Sequence, residues 1–380
     1  MLVALVLTAV ASFAAAVFLP WTFPLPPAAH IHLALAAGIM PLIFGAMTHF
    51  VPVLTRSKSP PTGIRLTPAF MLASGALAVF SFAAANHIYY FATFLALVAA
   101  AIFFRWIISR TLNPLNKPHP CLHWYLAALA CLMLALTAVA AMALWPEQRL
   151  ALKRLHLHLN TLGVVGLTAI ATLQVLLPTA VGRFDPQAAT RLRQDLKWAI
   201  SGTLLIALGA AWLKPLAWLG TLMWVVPLMR LGKAWLALYV NEIRCFHGVV
   251  PSLAAALTGF AVTLIFGALH ASGILNSTNT AHAFILAFLF PLVTGAASQL
   301  LAVWARPGPQ TAWHAQVRQK LGLIGGLRGI LFLTGGLLLG LGWRGGLLLA
   351  MAALIAFLVQ LVFAARAILA RSGTDDKEIH

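Results

Sequence analysis

The chain has 380 residues, of which 62% are hydrophobic and only 8% are charged, whereas about a quarter of the residues in a soluble domain are charged. It carries 25 lysines and arginines against 7 aspartates and glutamates, and these bases lie in short segments between long apolar runs. The composition therefore excludes a set of soluble domains and a nucleic-acid-binding module, and it indicates an all-α polytopic membrane protein.

A bilayer core about 30 Å thick requires roughly 20 apolar residues per helix, and the apolar runs predict twelve transmembrane helices on that basis. No cationic stretch precedes the first run, so this run is predicted to be a retained span rather than a signal peptide. The predicted spans lie near residues 2–20, 28–54, 66–86, 88–108, 122–145, 155–180, 195–213, 215–239, 249–271, 279–304, 321–342 and 345–369.

The bases are divided unequally between the two sides of the predicted membrane. Nineteen lysines and arginines fall in the loops and tail on the side of the N-terminus, five fall on the other side, and Arg328 lies within the eleventh span. Because positive charge is retained in the cytoplasm, both termini are predicted to be cytoplasmic, in the inner (plasma) membrane of a bacterium. Residues 373–380 form the predicted cytoplasmic tail, and membrane lipid is the first predicted partner.

Three segments of the chain resemble one another: HIHLALAAGIMPLIF, HLHLNTLGVVGLTAI and AHAFILAFLFPLVTG. They open the second, sixth and tenth predicted spans, and their histidines His32, His158 and His282 are 126 and 124 residues apart. The recurrence of the histidines favours a functional role for them. The alternative is an ancestral duplication that preserved helix-packing glycines and prolines, in which the histidines are incidental. The pattern predicts one transmembrane domain over residues 1–380, built from three parallel four-helix repeats at approximately 1–121, 122–248 and 249–372.

Histidines form a layer at one predicted depth. Neutral imidazole is a common ligand of metal ions and haem iron, and ionisable groups at span ends are costly enough to suggest a function. A lone interfacial histidine is more often a solvated helix end, but several at one depth on repeat-equivalent helices favour a layer of ligands. Seven of the 13 histidines lie at or just below the outer surface: His30, His32, His87, His156, His158, His270 and His282.

Two of these helices carry the pattern His-X-His. Residues two apart on an α-helix differ by about 200° in azimuth, so His30 and His32 are predicted to point to opposite sides of their helix, as are His156 and His158. Each helix could therefore serve two flanking sites, and a b-type haem held by imidazoles from two helices fits such a crevice.

Basic residues lie where a haem would need them. The two haem carboxylates require counter-ions, and Arg149, Lys153 and Arg154 come just before the histidines of the sixth span. Arg328 is the one deep cation, and it could either pair with a propionate or extend to the inner surface.

The other histidines are predicted to lie away from this layer. His49 is roughly 25 Å along the helix from His32, where a second polar site with Thr48 and a helix-packing role both remain open. Gln174 and Gln299 at equivalent positions favour a structural hydrogen-bonding role. No site is predicted at His119, His123, His247, His314 or His380.

Several other chemistries have no support in the sequence. The three cysteines have no CxxC or CxxCH spacing, no carboxylate is predicted mid-membrane, and P-loop, GxSxG and dinucleotide motifs are missing. A disulfide framework, a covalent c-type haem and the carboxylate relay of a proton pump are therefore not expected.

Twelve spans in parallel four-helix units, with outer histidines on spans 2, 6 and 10, resemble subunit I of the haem–copper oxidase superfamily. The resemblance covers nearly the whole chain in topology but only those three spans in motif. It implies that His32 or His30, with His282, holds a low-spin haem, and that His158 or His156 takes the place of a copper ligand. Span 7 lacks the family's copper-binding histidines, so oxygen reduction coupled to proton pumping is not expected.

The segments AAHIHLAL and LHLHLNTLGVVGLTA are also similar to the histidine-rich motifs of the NnrS family, a resemblance that implies a haem- and copper-containing membrane protein linked to nitric oxide stress. The leading hypothesis is thus a haem b protein, with copper as a further candidate cofactor. It would transfer electrons with a respiratory-chain partner, or bind and detoxify nitric oxide as an oxidoreductase. The alternatives are a permease for metal ions or a small solute, and an assembly factor that passes haem or copper to a respiratory oxidase.

The sequence assigns roles to eight residues on this hypothesis. His32 and His282 are the expected ligands of haem iron, His30, His156 and His158 those of a second haem or metal, and Arg154 a partner of a propionate, with His87 and His270 as secondary metal ligands.

Overall fold

The computed structural model describes residues 1–23, 25–112 and 118–375, and side chains as far as residue 366. Within these ranges the chain forms helices and no strand. Residues 376–380 of the predicted tail, which include His380, lie outside the described residues. The α-helices are α1 (Leu2–Phe18), α2 (Pro27–His32), α3 (Met40–Thr55), α4 (Thr62–Ala83), α5 (Tyr89–Leu112), α6 (Cys121–Leu144), α7 (Arg149–His158), α8 (Leu167–Val181), α9 (Ala188–Ala211), α10 (Lys214–Ile243), α11 (Val250–Ala271), α12 (Ser277–Ala283), α13 (Phe290–Ala305), α14 (Ala312–Leu321), α15 (Gly325–Gly340) and α16 (Gly346–Asp375).

Eleven segments of the described chain are long and apolar enough to cross a membrane. They comprise every helix except α9, with α2–α3, α7–α8, α12–α13 and α14–α15 each forming one segment. The polytopic helical membrane character is therefore confirmed. The predicted seventh span corresponds to α9, a 24-residue helix whose first half carries Arg191, Arg193, Asp195 and Lys197, and the twelve-helix arrangement stays a prediction.

Three of the long segments contain a π-helix. These π-helices are π1 (Leu33–Ile39), π2 (Leu159–Gly166) and π3 (Phe284–Leu289), and each begins within two residues after a histidine of the predicted repeat. A π-helix is rare and usually brief, and it is often found at functional sites. The sequence gives no signal for it, because the apolar pattern continues unbroken through each segment.

The helices form two compact units, and each is described by itself. The first contains residues 1–175 and 185–232, and the second contains residues 176–184 and 233–380. Of the seven histidines in the predicted layer, the second unit holds His270 and His282 and the first holds the other five.

In the first unit, glycines allow close contact with both π-helices. A Cβ atom added at Gly75 in α4 would collide with the carbonyl of Ala36 in π1. A Cβ atom at Gly163 in π2 would lie 2.6 Å from the Cβ of Cys131 in α6. No larger side chain fits at either place, so the two glycines allow α4 to approach π1 and π2 to approach α6.

Buried polar contacts also hold the first unit together. Arg191 pairs with Asp185 at 2.7 Å, and its Nε donates to Gln174 Oε1 at 2.8 Å. The side chains of Asp185 and Arg191 are almost fully buried. The structural hydrogen-bonding role predicted for Gln174 is thus found in this unit.

In the second unit, Arg328 is fully buried. Its guanidinium donates to Leu321 O and Ser298 Oγ, each at 3.1 Å, and to Gln360 Oε1. The guanidinium carbon also lies 4.9 Å from the centroid of the Phe357 ring. The sequence left open whether Arg328 pairs with a propionate or extends to the inner surface. The structure shows that it does not extend to the surface.

Candidate metal-ligand site

Two histidines from distant parts of the sequence meet in the first unit. His32 ends α2 and His156 lies near the end of α7, and both side chains are partly buried. Their ring centroids are 6.2 Å apart, and the ring planes are inclined by 15°. The sequence identified both residues as candidate ligands but assigned His32 to a pair with His282, so it missed this pairing.

Each ring of the pair is held by a backbone carbonyl. His32 Nδ1 lies 2.7 Å from Ala28 O, and His156 Nδ1 lies 2.9 Å from Ala135 O. Since a carbonyl only accepts hydrogen bonds, Nδ1 must carry the proton in a neutral ring and Nε2 must carry the lone pair. This is the usual state of a metal-ligating histidine, whose second nitrogen donates to a carbonyl or a carboxylate.

Asn160 fixes His156 from within the same helix. Its Nδ2 donates to His156 O at 2.8 Å and lies 3.4 Å from Nδ1 and 3.5 Å from Nε2 of the ring. The Asn160 side chain is buried. The amide therefore closes one side of the imidazole and restrains its rotation.

Aromatic rings continue from His32 toward the turn between α4 and α5. Phe82 lies 4.6 Å from His32 between ring centroids, and Tyr89 stacks on Phe82 at 5.3 Å with an interplanar angle of 11°. Tyr90 follows at 4.3 Å from Tyr89. His87 is exposed, with its centroid 6.4 Å from that of Tyr90, so the rings run from the histidine pair to the surface.

Hydrogen bonds hold the α4–α5 turn in place. Ser81 Oγ lies 2.8 Å from Asn86 O and from Asn86 Oδ1, and it accepts from Tyr89 N at 3.0 Å. Ala85 adopts a left-handed conformation with a φ of 49°, which a residue with a Cβ rarely adopts. The network supports this turn and thereby positions Tyr89 beside Phe82.

One face of α7 carries positive charge next to these rings. Arg149, Lys153, His156 and Asn160 are spaced by three or four residues, so they share a face along α7 and into π2. Lys153 precedes His156 by three residues and Arg149 precedes it by seven, so both cations lie on the side of α7 that carries His156. Both cations are exposed. The pair of histidines thus lies beside two cations that could contact an anionic group.

The remaining predicted ligands of the first unit have other surroundings. His30 is buried, its Nε2 lies 3.0 Å from Leu25 O, and no hydrogen-bond partner is found for its Nδ1 within the described ranges. His158 is partly exposed and its Nδ1 lies 2.8 Å from Arg154 O. No described contact joins the ring of His30 or His158 to His32 or His156. The carbonyl of Arg154 contacts His158, and the Arg154 side chain, predicted to pair with a propionate, is exposed.

The second unit places its histidines at the junction of α11 and α12. His270 is exposed, with Nδ1 at 3.0 Å from Leu275 O. His282 is partly buried in α12. The assignment of His32 and His282 to one haem stays a prediction.

Histidines for which the sequence predicts no site make local contacts. His119 Nδ1 accepts from Cys121 N at 3.3 Å, and burial, with a smaller effect of Arg193, lowers the pKa of His119 below its usual range. His314 is buried, and its two ring nitrogens contact Thr311 and Arg306 O. These contacts account for the two side chains without a ligand.

The paired histidines are a two-ligand arrangement. Among the residues that the structure describes, no group of three or more His, Cys, Asp or Glu side chains could hold a metal ion. Haem supplies four nitrogen ligands of its own and needs one or two axial ligands from protein. Imidazole nitrogens bond metals at about 2.0–2.1 Å, so two rings on opposite sides of one ion have centroids roughly 6 Å apart. The observed separation is close to that distance, and the two ring planes are nearly parallel.

Comparison of the chain with models of known protein families and with curated protein sequences finds no match.

Proposed function

We propose that the protein is an integral membrane haem b protein that transfers electrons or binds nitric oxide, with the axial ligands His32 and His156. The single observation that carries this proposal is the pair of nearly parallel imidazoles, 6.2 Å apart, each anchored through Nδ1 to a carbonyl. Such anchoring leaves the lone pair of each ring on Nε2, the nitrogen through which each histidine would bind a metal. Haem would supply a redox-active iron, which the side chains of the chain do not provide themselves.

The neighbouring residues have complementary roles in this proposal. Lys153 and Arg149 would neutralise the haem propionates, because charge-assisted hydrogen bonds to carboxylates are about twice as strong as neutral ones. Phe82 would exclude water from one side of His32, with which it is in ring contact. The proposal places the histidine pair on the outer side of a bacterial inner membrane, on the basis of the lysine and arginine bias of the loops.

Copper is the second candidate cofactor. Imidazole suits copper as well as iron, and a pair of imidazoles without a third protein ligand could hold Cu(I) in a linear arrangement. A protein with such a site would transfer copper or electrons. The two cofactors differ in their spectra, since haem absorbs strongly in the visible range and Cu(I) does not.

The test is a reduced-minus-oxidised absorption spectrum of the purified protein together with metal analysis, from cells supplied with haem and copper. Haem b at about one equivalent supports the proposal, and a further change on adding nitric oxide to the reduced protein favours gas binding over electron transfer. Copper without a Soret band supports the second candidate. Purified protein that contains neither metal contradicts both.

A further inference from the structure

We propose that α14 binds the headgroups of anionic phospholipids at the cytoplasmic surface of the membrane. Arg318 and Lys320 supply the positive charge of this surface, and the lipid phosphate supplies the negative charge. The inference is independent of the histidine pair, because α14 belongs to the second unit and lipid binding needs no metal.

α14 is a short amphipathic helix that packs against α13 and α16. Four of its side chains share a buried face: Trp313, His314, Val317 and Leu321. Arg318 and Lys320 lie at the two borders of that face, because residues two apart on a helix differ by about 200° in azimuth. Lys320 is exposed, and Arg318 is half-buried and donates to Gln310 Oε1 at 2.6 Å. Cations beside an apolar face are typical of helices in the membrane interface, where the charged group extends to the headgroups.

Hydrogen bonds fix both ends of α14. At its start, His314 Nε2 lies 2.9 Å from Arg306 O. At its end, Leu321 O accepts from Ser298 Oγ at 3.0 Å and from the buried guanidinium of Arg328 at 3.1 Å. The two cations are therefore presented by a preformed helix, and lipid binding does not have to order this segment.

The position of α14 in the chain places it near one surface of the membrane. It precedes α15, and together they form one segment that is long and apolar enough to cross a membrane. α15 alone has 16 residues, a length of about 24 Å, which is shorter than the hydrocarbon core of about 30 Å. The turn after α14 covers the remaining distance of about 6 Å, so α14 lies at the level of the headgroups. The sequence predicts that this side is cytoplasmic.

The second unit has almost no acidic side chains that could neutralise these cations. No aspartate or glutamate occurs from residue 243 to residue 374, although eight lysines and arginines do. Glu242 already pairs with Arg183 at 2.7 Å. Among the residues that the structure describes, neither Arg318 nor Lys320 forms an ion pair. The matching partner of α14 is therefore anionic.

An anionic lipid fits this surface better than a soluble acidic protein does. Basic segments next to transmembrane helices are attracted to the negative surface of the cytoplasmic leaflet, over a distance of about one Debye length. An acidic protein would have to approach through the same headgroups, which repel it. Because the two cations lie on different sides of α14, we expect them to contact two separate lipid phosphates.

The test uses the exposed thiol of Cys245 as a reporter position. Cys121 and Cys131 are buried, so a maleimide donor fluorophore labels Cys245. The reporter lies near α14, because the loop that follows Cys245 bonds to the residue that ends α14: Gly248 N donates to Gly322 O at 2.7 Å. The labelled full-length protein is reconstituted in phosphatidylcholine vesicles that contain a low fraction of an acceptor lipid.

Two acceptor lipids carry the same fluorophore on the same acyl chain and differ only in the headgroup, which is phosphatidylglycerol or phosphatidylcholine. At low salt we expect the phosphatidylglycerol acceptor to reach half-maximal energy transfer at a mole fraction about tenfold lower. This advantage should largely disappear at high salt, because salt screens exposed charges.

Variants separate a site on α14 from general surface charge. Arg318→Gln with Lys320→Gln should abolish the preference for phosphatidylglycerol, whereas Arg318→Lys with Lys320→Arg keeps both charges and should keep it. The matched control is Arg193→Gln with Lys197→Gln, which removes two exposed charges of α9 on the same predicted side and should leave the preference intact. If the double glutamine variant does not fold, the single variant Lys320→Gln of an exposed side chain should still reduce the preference several-fold.

Three outcomes would overturn the proposal. Equal half-maximal mole fractions for the two lipids in the wild type would show that α14 has no preference for anionic lipid. An equal loss of preference in the α9 variant would show that general surface charge is responsible. A preference that appears only in Asp375→Asn, Asp376→Asn and Glu378→Gln combined would show that the acidic tail, and not lipid, occupies this surface.

Discussion

The imidazole rings of His32 and His156 lie nearly parallel with centroids 6.2 Å apart, although 124 residues separate them in the chain. One ring ends α2 and the other lies near the end of α7, and each is followed directly or within three residues by a π-helix. The two histidines thus lie on helices whose backbones depart from α-helical geometry just after each ring.

Removal of the amide of Asn160 should loosen His156. In Asn160→Ala, the hydrogen bond from Nδ2 to His156 O is lost and the ring gains freedom to rotate. Residues that orient a metal ligand typically contribute about 10-fold to 100-fold in metal affinity. Titration of the metal-free protein with haemin should show a dissociation constant raised by about tenfold. Thr161→Ala is the control, because it removes a partly buried hydroxyl whose hydrogen bond among the described residues is to Leu157 O, one turn earlier. Equal affinities for the two variants would argue against this role.

A side chain at Gly75 should destabilise the first unit. In Gly75→Val the new Cβ would collide with the carbonyl of Ala36 in π1, and overpacking of this kind costs about 1–3 kcal/mol. Thermal unfolding in detergent should show a lower midpoint for this variant. Gly63→Val lies on the same helix with no atom within 4 Å of the added Cβ, and a similar loss in both variants would contradict the close contact between α4 and π1.

The buried ion pair should matter more than the exposed one. Asp185→Asn leaves the buried guanidinium of Arg191 without its carboxylate, and breaking a buried pair by removing one partner costs about 3–5 kcal/mol. Glu242→Gln removes the carboxylate of a pair with Arg183 whose side chains are 33% and 54% exposed, and exposed pairs contribute about 0–1 kcal/mol. Chemical unfolding in detergent measures both. Equal losses of unfolding free energy in the two variants would show that Arg191 is supported by Gln174 rather than by Asp185.

Helix positions were largely predictable from the sequence, because burial in a bilayer leaves long apolar runs with clear ends. The predicted spans 122–145 and 249–271 lie within one residue of the helices Cys121–Leu144 and Val250–Ala271. Residues 312–320 were predicted to belong to an inner loop, but they lie in α14, which ends before the left-handed residue Ile324. Its sequence is short and polar, so no apolar pattern distinguishes it from a loop.

The candidate site was predictable only in part. The sequence identified His32 and His156 as candidate ligands because histidines recur at one depth, but it could not show which helices are neighbours. The contact of Phe82 with His32 and the stacking of Tyr89 on Phe82 were also missed. The aromatic pair Tyr89 and Tyr90, next to His87 at the same predicted depth, was a usable signal. The close contact of Gly163 in π2 with Cys131 in α6 was also missed, because it joins residues that are distant in the sequence.

Substitution of the paired histidines separates the two assignments for the partner of His32. If His32 and His156 hold one haem, then His32→Ala and His156→Ala should each lose the low-spin haem spectrum, while His282→Ala and His123→Ala keep it. If His282→Ala loses the low-spin haem spectrum and His156→Ala keeps it, the result would instead support the arrangement implied by the resemblance to haem–copper oxidases. His123 is an exposed residue near the start of α6 and controls for the loss of any imidazole.

Electron paramagnetic resonance of the oxidised protein tests the central claim most directly, because the signal of bis-imidazole iron depends on the angle between the two ring planes. Rings inclined by only 15° should give a rhombic low-spin ferric signal, and His156→Ala should convert it to a high-spin signal as one axial ligand is lost. A wild-type low-spin signal that persists unchanged in His156→Ala would contradict the account, since it would show that His156 does not bind the iron.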